Sequence, residues 1–135
     1  MKFIDPQGKK RNLRNARKYL IDWSKPSRSK FQTRVKKFLF NYWKNDIVFE
    51  EFRVIGSRLT LDFYNANKKI AVEVQVEQHI KYVEFFHKNR LKYCEQLKRD
   101  EKKLEFCKAN GIKLAEIYPQ DEIQASVFKD QDVYL

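Results

Sequence analysis

A small α/β domain is the fold class this sequence predicts, and three observations predict it. Residues 29–44 carry apolar side chains at helical spacing. Residues 58–64 and 70–76 alternate apolar and polar side chains with period two. A long helical segment from about 83 to 110 ends at Gly111 and is followed by an apolar run up to Pro119. A chain of 135 residues fits one domain. Its 42% hydrophobic content supplies a core and excludes a disordered chain, and 3 Gly and 3 Pro are too few for a loop-built fold.

Each element follows from its residues. Residues 1–28 read as a basic arm that packs only partly. Gly8 opens a turn beside Lys9, Lys10 and Arg11, and Leu13, Ala16, Tyr19 and Leu20 support a short helix that Pro26 ends. In 29–44, Phe31, Val35, Phe38, Leu39, Tyr42 and Trp43 share one face, with Arg34, Lys36, Lys37 and Lys44 elsewhere. Ser29 is the N-cap, and Gln32 stands where a capping box places its partner. Residues 47–54 read as a strand. Leu59, Leu61 and Phe63 share one face of the next, with Thr60, Asp62 and Tyr64 opposite. In 70–76, Ile70, Val72, Val74 and Val76 oppose Ala71, Glu73 and Gln75. The long helix takes Phe86, Tyr93, Leu97, Leu104 and Cys107 as its core, Gly111 as its cap and 112–118 as a following strand. Residues 119–135 are acidic and form a loop or short helix.

The two central strands each carry one carboxylate. A two- or four-residue turn centred between Asn67 and Lys68 makes paired residue numbers sum to 135, so Asp62 faces Glu73 and Thr60 faces Gln75. Directly opposed residues lie about 4.5–5.5 Å apart at Cβ, and two like charges that close need a cation or a shared proton. Such a pair suits Mg²⁺, with Mn²⁺ as a substitute. The plainer reading makes both acids solvent-facing residues of an amphipathic hairpin, as at least one of Glu50 and Glu51 is expected to be.

Charge is unevenly distributed. The formal net charge is +11, yet residues 1–45 alone carry fourteen Lys or Arg against two Asp, and 119–135 are net acidic. A long polyanion is the natural partner of such a segment, and an anionic membrane surface is the rival. Lys9, Lys10, Arg11, Arg14, Arg17, Lys18, Arg28 and Lys30 form the candidate nucleic-acid patch, and Arg53 and Arg58 flank the acids. Lys98, Arg99, Lys102 and Lys103 read as a solvated helix face. Cys94 and Cys107 lack a CxxC spacing, which argues against structural zinc. No apolar run is long enough to span a bilayer and no apolar leader follows Met1-Lys2, so a soluble cytoplasmic protein is expected.

Asp62 and Glu73-Val74-Gln75, in a helix, three-strand, helix, strand order, resemble the PD-(D/E)XK nuclease superfamily over 29–118. The wider pattern Arg58-Leu59-Thr60-Leu61-Asp62-Phe63, Ile70-Ala71-Val72-Glu73-Val74 and Gln78-His79 is similar to the branch of very-short-patch-repair-type and phage homing endonucleases. Asp100-Glu101-Lys102-Lys103-Leu104 is similar to that branch's Asp-x-x-Arg helix. The resemblance implies a restriction-endonuclease-like αβββαβ core (29–118) with a mixed sheet, a basic N-terminal DNA-binding arm (1–28) and an acidic tail (119–135). It implies a Mg²⁺-dependent DNA endonuclease acting on double-stranded DNA, as a homodimer or higher homo-oligomer, in a bacterial host's cytoplasm or nucleoid if phage-encoded. Asp62 and Glu73 would bind metal. His79 would act as a general base or hold phosphate, its plainer reading being a loop histidine. Gln32 stands at the place of a metal-assisting helix-1 Glu, and the capping box is its other reading. Gln75 replaces the usual Lys, so the third position can hydrogen-bond a water but carries no charge. His79, Arg58 or the metal must then carry it. A mismatch- or junction-directed nicking enzyme, a catalytically silent nucleic-acid-binding module and a basic adaptor protein are the other functions in view.

Overall fold

The computed structural model describes residues 1–75 and 90–135, the side chains of 90–97 excepted. The described elements are β1 (Lys2–Ile4), β2 (Lys10–Asn12), a 3₁₀ turn (Ala16–Tyr19), α1 (Lys30–Trp43), β3 (Val48–Arg53), β4 (Thr60–Asn65), β5 (Ile70–Val74), α2 (Arg90–Ala109), β6 (Lys113–Ile117) and α3 (Ala125–Lys129). β1 and β2 form a separate hairpin. The main sheet runs β3-β4-β5-β6, antiparallel in its first two pairings and parallel between β5 and β6. A parallel pair needs a long crossover, and α2 lies in it. The fold is mixed α/β, as the periodicities predict, and its four-stranded sheet is mixed, as the resemblance implies.

α1 starts where expected. The Ser29 hydroxyl accepts the Gln32 N–H at 3.0 Å, which satisfies one of the helix's orphan donors. Val35, Leu39 and Trp43, each four residues apart, are fully buried against Phe63, Val72, Val74 and Ile117. Large apolar side chains of this kind contribute about 1.5–3 kcal/mol each on burial. Tyr42, assigned to that face, lies at its exposed edge. Lys36, assigned to the solvent side, is buried, because its ammonium finds a carboxylate beneath the helix.

The other face of the sheet corrects the expectation of a polar surface. It is a second core. Phe49, Phe52, Leu61, Tyr64 and Ala71 pack there against Phe106 and Cys107 of α2 and against Phe3 of β1. Phe3 sits 5.7 Å from Phe52 and 5.8 Å from Phe106, ring centre to ring centre. The N-terminal segment is therefore docked more closely than its composition suggests. On α2, Phe106 takes the core position that Leu104 was assigned, and Leu104 is exposed. Residues 119–135 also pack: Phe128 and Val133 close the α1 side of the core.

α2 ends as Gly111 predicts. Gly111 adopts φ +67°, Ile112 N–H reaches back to Cys107 C=O at 2.8 Å, and Gly111 N–H to Lys108 C=O. That pair of bonds satisfies the last carbonyls of the helix and turns the chain into β6.

Candidate active site

The site is set by strand register. Asn65 pairs with Ile70, Tyr64 with Ala71 and Phe63 with Val72, leaving a four-residue turn at 66–69, as the turn chemistry predicts. One step further along, the backbone ladder gives way. The Asp62 carboxylate itself accepts the Val74 N–H at 2.8 Å. Asp62 and Glu73 thus end up side by side, but not on a solvent face: each is only 5% exposed.

Burial explains their electrostatics. Desolvation pushes the Glu73 carboxyl well above the usual range, the charge of Asp62 pushes it further, and the Lys103 ammonium pulls it partly back. Lys103 Nζ lies 3.3 Å from Glu73 Oε1, yet that oxygen makes no well-directed hydrogen bond among the described residues. A buried carboxylate oxygen without a partner is costly. Two hard carboxylate donors, one of them with an oxygen that makes no hydrogen bond, fit a small divalent cation. Among the described residues, no group of three or more His, Cys, Asp or Glu side chains forms a ready-made metal centre.

β3 supplies the other wall. Glu50 pairs with Phe63 and Phe52 with Leu61, but the intervening Glu51 and Asp62 do not pair, and Glu51 adopts φ +51°. A non-glycine residue there stores about 1–3 kcal/mol of strain. The same break explains why Leu61 and Phe63, expected on one face, pack into opposite cores. The twist turns Glu51 towards α1 beside Glu50. Gln32 Nε2 donates to Glu50 Oε2 at 3.2 Å and to Glu51 Oε1 at 3.0 Å. The capping-box reading of Gln32 is half right: its N–H is capped by Ser29, while its side chain reaches the acids. Lys36 Nζ donates to Glu50 Oε1 at 2.8 Å and to Lys25 C=O at 2.9 Å, and Ser27 Oγ donates to Glu50 Oε2.

Arg28 joins the two groups. Its guanidinium lies 3.3 Å from Glu51 and 3.6 Å from Asp62, with the side chain 70% exposed. A cleft of about 290 Å³ runs beside it, lined by Lys18, Lys25, Arg28, Lys36, Glu50 and Glu51. Arg28 is therefore a residue of the site rather than of a distant patch.

The remaining expected residues spread more widely. Gln75 follows β5, half-buried, with its N–H donated to Ile117 C=O at 2.9 Å. Strand alternation puts it on the Glu73 side. Lys9, Lys10, Arg14, Arg17, Lys18, Lys30 and Arg58 are exposed. Arg11 is half spent on structure: its Nε donates to buried Asp5 at 2.7 Å. Arg53 donates to Ser57 C=O. His79, with Val76, Glu77, Gln78, Phe86 and His87, lies outside the described residues, as do the side chains of Tyr93, Cys94 and Leu97. Cys107 borders the site but is no nucleophile, since burial and then the charge of Glu73 push its thiol up to about 12.

Lys103 is the neighbour of the carboxylate pair that the charge pattern hid. Its run reads as a solvated face, yet its side chain is only 18% exposed. The signal that locates it is its place in Asp100-x-x-Lys103, three residues after an acid on the helix that crosses behind β5. Lys36 and the Glu50–Glu51 pair were hidden in the same way, inside charged stretches whose partners lie far away in sequence.

Comparison with known proteins adds relatives but no activity. Part of the chain is 43% identical over 63 residues to the uncharacterised protein 094L of Frog virus 3. It is 37% identical over 59 residues to the uncharacterised protein 307L of Invertebrate iridescent virus 6, and 34% identical over 64 residues to the uncharacterised protein 033L of Invertebrate iridescent virus 3. The matched stretches cover 44–47% of this chain and 30–41% of those proteins. No family profile and no solved structure matches the chain.

Proposed function

We propose that the protein is a metal-dependent DNA endonuclease of the PD-(D/E)XK type, with a restriction-endonuclease-like core spanning residues 29–118. The observation that carries this reading is the buried Asp62–Glu73 pair, two carboxyl groups held together beside Lys103, with Glu73 Oε1 making no hydrogen bond among the described residues. Burying two carboxyl groups together costs stability unless a proton or a cation offsets it, and a divalent cation is the ligand such a pair is suited to hold.

Mg²⁺ bound there would stabilise charge on a phosphate and make a bound water more acidic. The chain's own residues do the rest. Asp62 and Glu73 would hold the cation, and the Val74 N–H fixes the Asp62 carboxylate through Oδ2. Lys103 Nζ supplies the positive charge that Gln75 lacks, from a helix instead of from the strand, and holds a non-bridging phosphate oxygen. Gln75 orients the water by hydrogen bonding. Arg28, long and exposed, leaves Glu51 and Asp62 for a neighbouring phosphate. Gln32 is a positioning residue, fixing Glu50 and Glu51.

One chain presents one such carboxylate pair among the described residues, so one protomer cuts one strand. Homing-type cleavage of both strands requires a dimer. The test is conversion of supercoiled plasmid to the nicked form in Mg²⁺, with EDTA as control. The reading predicts nicking in Mg²⁺ alone, and its loss in Asp62→Asn and in Lys103→Met. Equal nicking by wild type and Asp62→Asn would overturn it.

A further inference from the structure

A second cationic site lies away from the carboxylates. A cleft of about 550 Å³ is lined by Lys2, Phe3, Ile4, Lys10, Arg11, Asn12, Lys69, Ala109 and Asn110, four cations and no acid. The fold builds it from three separate pieces: the β1–β2 hairpin, the β4–β5 turn and the C-terminal end of α2. Asn110 locks two of them together. Its side chain accepts the Ile4 N–H at 2.7 Å and donates to Ile4 C=O at 2.9 Å. Phe3 anchors the hairpin from below. Lys2, Lys10 and Lys69 are exposed, and none is in an ion pair among the described residues. Holding unpaired lysines together costs electrostatic repulsion that an anion relieves.

We propose that this cleft binds the phosphate backbone of a nucleic acid. Lys2 pairs with Asn12 and Ile4 with Lys10, so Lys2 and Lys10 are diagonal neighbours about 7–8 Å apart. Their flexible stems let the two ammonium groups reach successive charges on a polymer from that spacing. The cleft also shares a sheet face with Glu73. Lys69 and Glu73 are four residue steps apart along β5 and its turn, about 13 Å, and Lys103 and Ala109 are six steps apart on α2, about 9 Å. At 3.4 Å of rise per nucleotide, that is roughly three to four nucleotides along a strand. The cleft thus grips the backbone a few nucleotides from the carboxylates. This placement rests on the nuclease reading; the binding itself does not.

The test is titration of a fluorescein-labelled duplex oligonucleotide at several salt concentrations, in EDTA, so that its outcome is independent of catalysis. The cleft variant is Lys2→Gln, Lys10→Gln and Lys69→Asn. Asn is chosen at position 69 because φ there is +54°. The control variant, Lys37→Gln, Lys44→Gln and Lys129→Gln, removes the same charge from exposed positions elsewhere. Three lost phosphate contacts make the slope of log affinity against log salt shallower by roughly 2–3, with thermal unfolding unchanged and a clearly smaller effect in the control. A cleft variant whose slope changes no more than the control's overturns the proposal. So does one that loses binding to poly-glutamate while keeping the duplex slope, which would make the cleft a site for acidic peptides.

Discussion

Lys36–Glu50 and Lys103–Glu73 are both lysine–carboxylate pairs with one buried and one half-buried member, placed on opposite sides of one sheet. In the first, every charged atom has a use. Lys36 bonds Glu50 and a backbone carbonyl, and Glu50 also accepts from Ser27 and Gln32. In the second, Asp62 crowds Glu73 with like charge, and one Glu73 oxygen lacks a hydrogen bond. The first pair is a strut between α1 and β3. The second is completed by a proton on Glu73 or, in the proposed metal site, by a cation that displaces it. Hydrogen-bond satisfaction, rather than burial or charge, is what separates the two pairs.

Mutation at each pair sharpens that contrast. The largest effect is on activity: Asp62→Asn removes several kcal/mol of transition-state stabilisation, roughly 100- to 1000-fold in plasmid nicking, with little loss of folding stability by urea titration. Next comes Lys36→Ala. It strands Glu50 beneath α1 and costs about 3–5 kcal/mol of folding stability, measured by urea unfolding. A loss near zero would break the distinction between strut and site.

Glu73→Gln has the opposite sign. The native state keeps a proton on Glu73 that the unfolded chain releases above the ordinary glutamate value of 4.5. Stability contributed this way is full below that value and falls as pH rises through the window up to the raised native value. Glu73→Gln therefore melts higher than wild type at neutral pH, and the gain closes as pH falls towards 4.5. Ser29→Ala, which uncaps α1 without touching either pair, costs about 1 kcal/mol in the same urea titration.

Much of this was legible in the sequence because it is local. Period-two alternation and the turn at 66–69 gave the β4–β5 register, and helical spacing with Ser29 gave α1. The acids and their pairing followed from these. What stayed hidden depends on contacts between distant segments. The polar face of the hairpin became a second core only because α2 and Phe3 cover it. Lys36 and Lys103 look like solvated charges until Glu50 and Glu73 are brought under them. The twist at Glu51, which redirects a whole strand's side chains, has no sequence signal: no glycine marks it.

The most direct measurement of the central claim is calorimetric titration of the protein with Mn²⁺ at neutral pH. Wild type and Lys36→Met should both release or absorb heat with a single saturable site, and Asp62→Asn and Glu73→Gln should give none. Equal binding heats in wild type and both carboxylate variants would contradict the account.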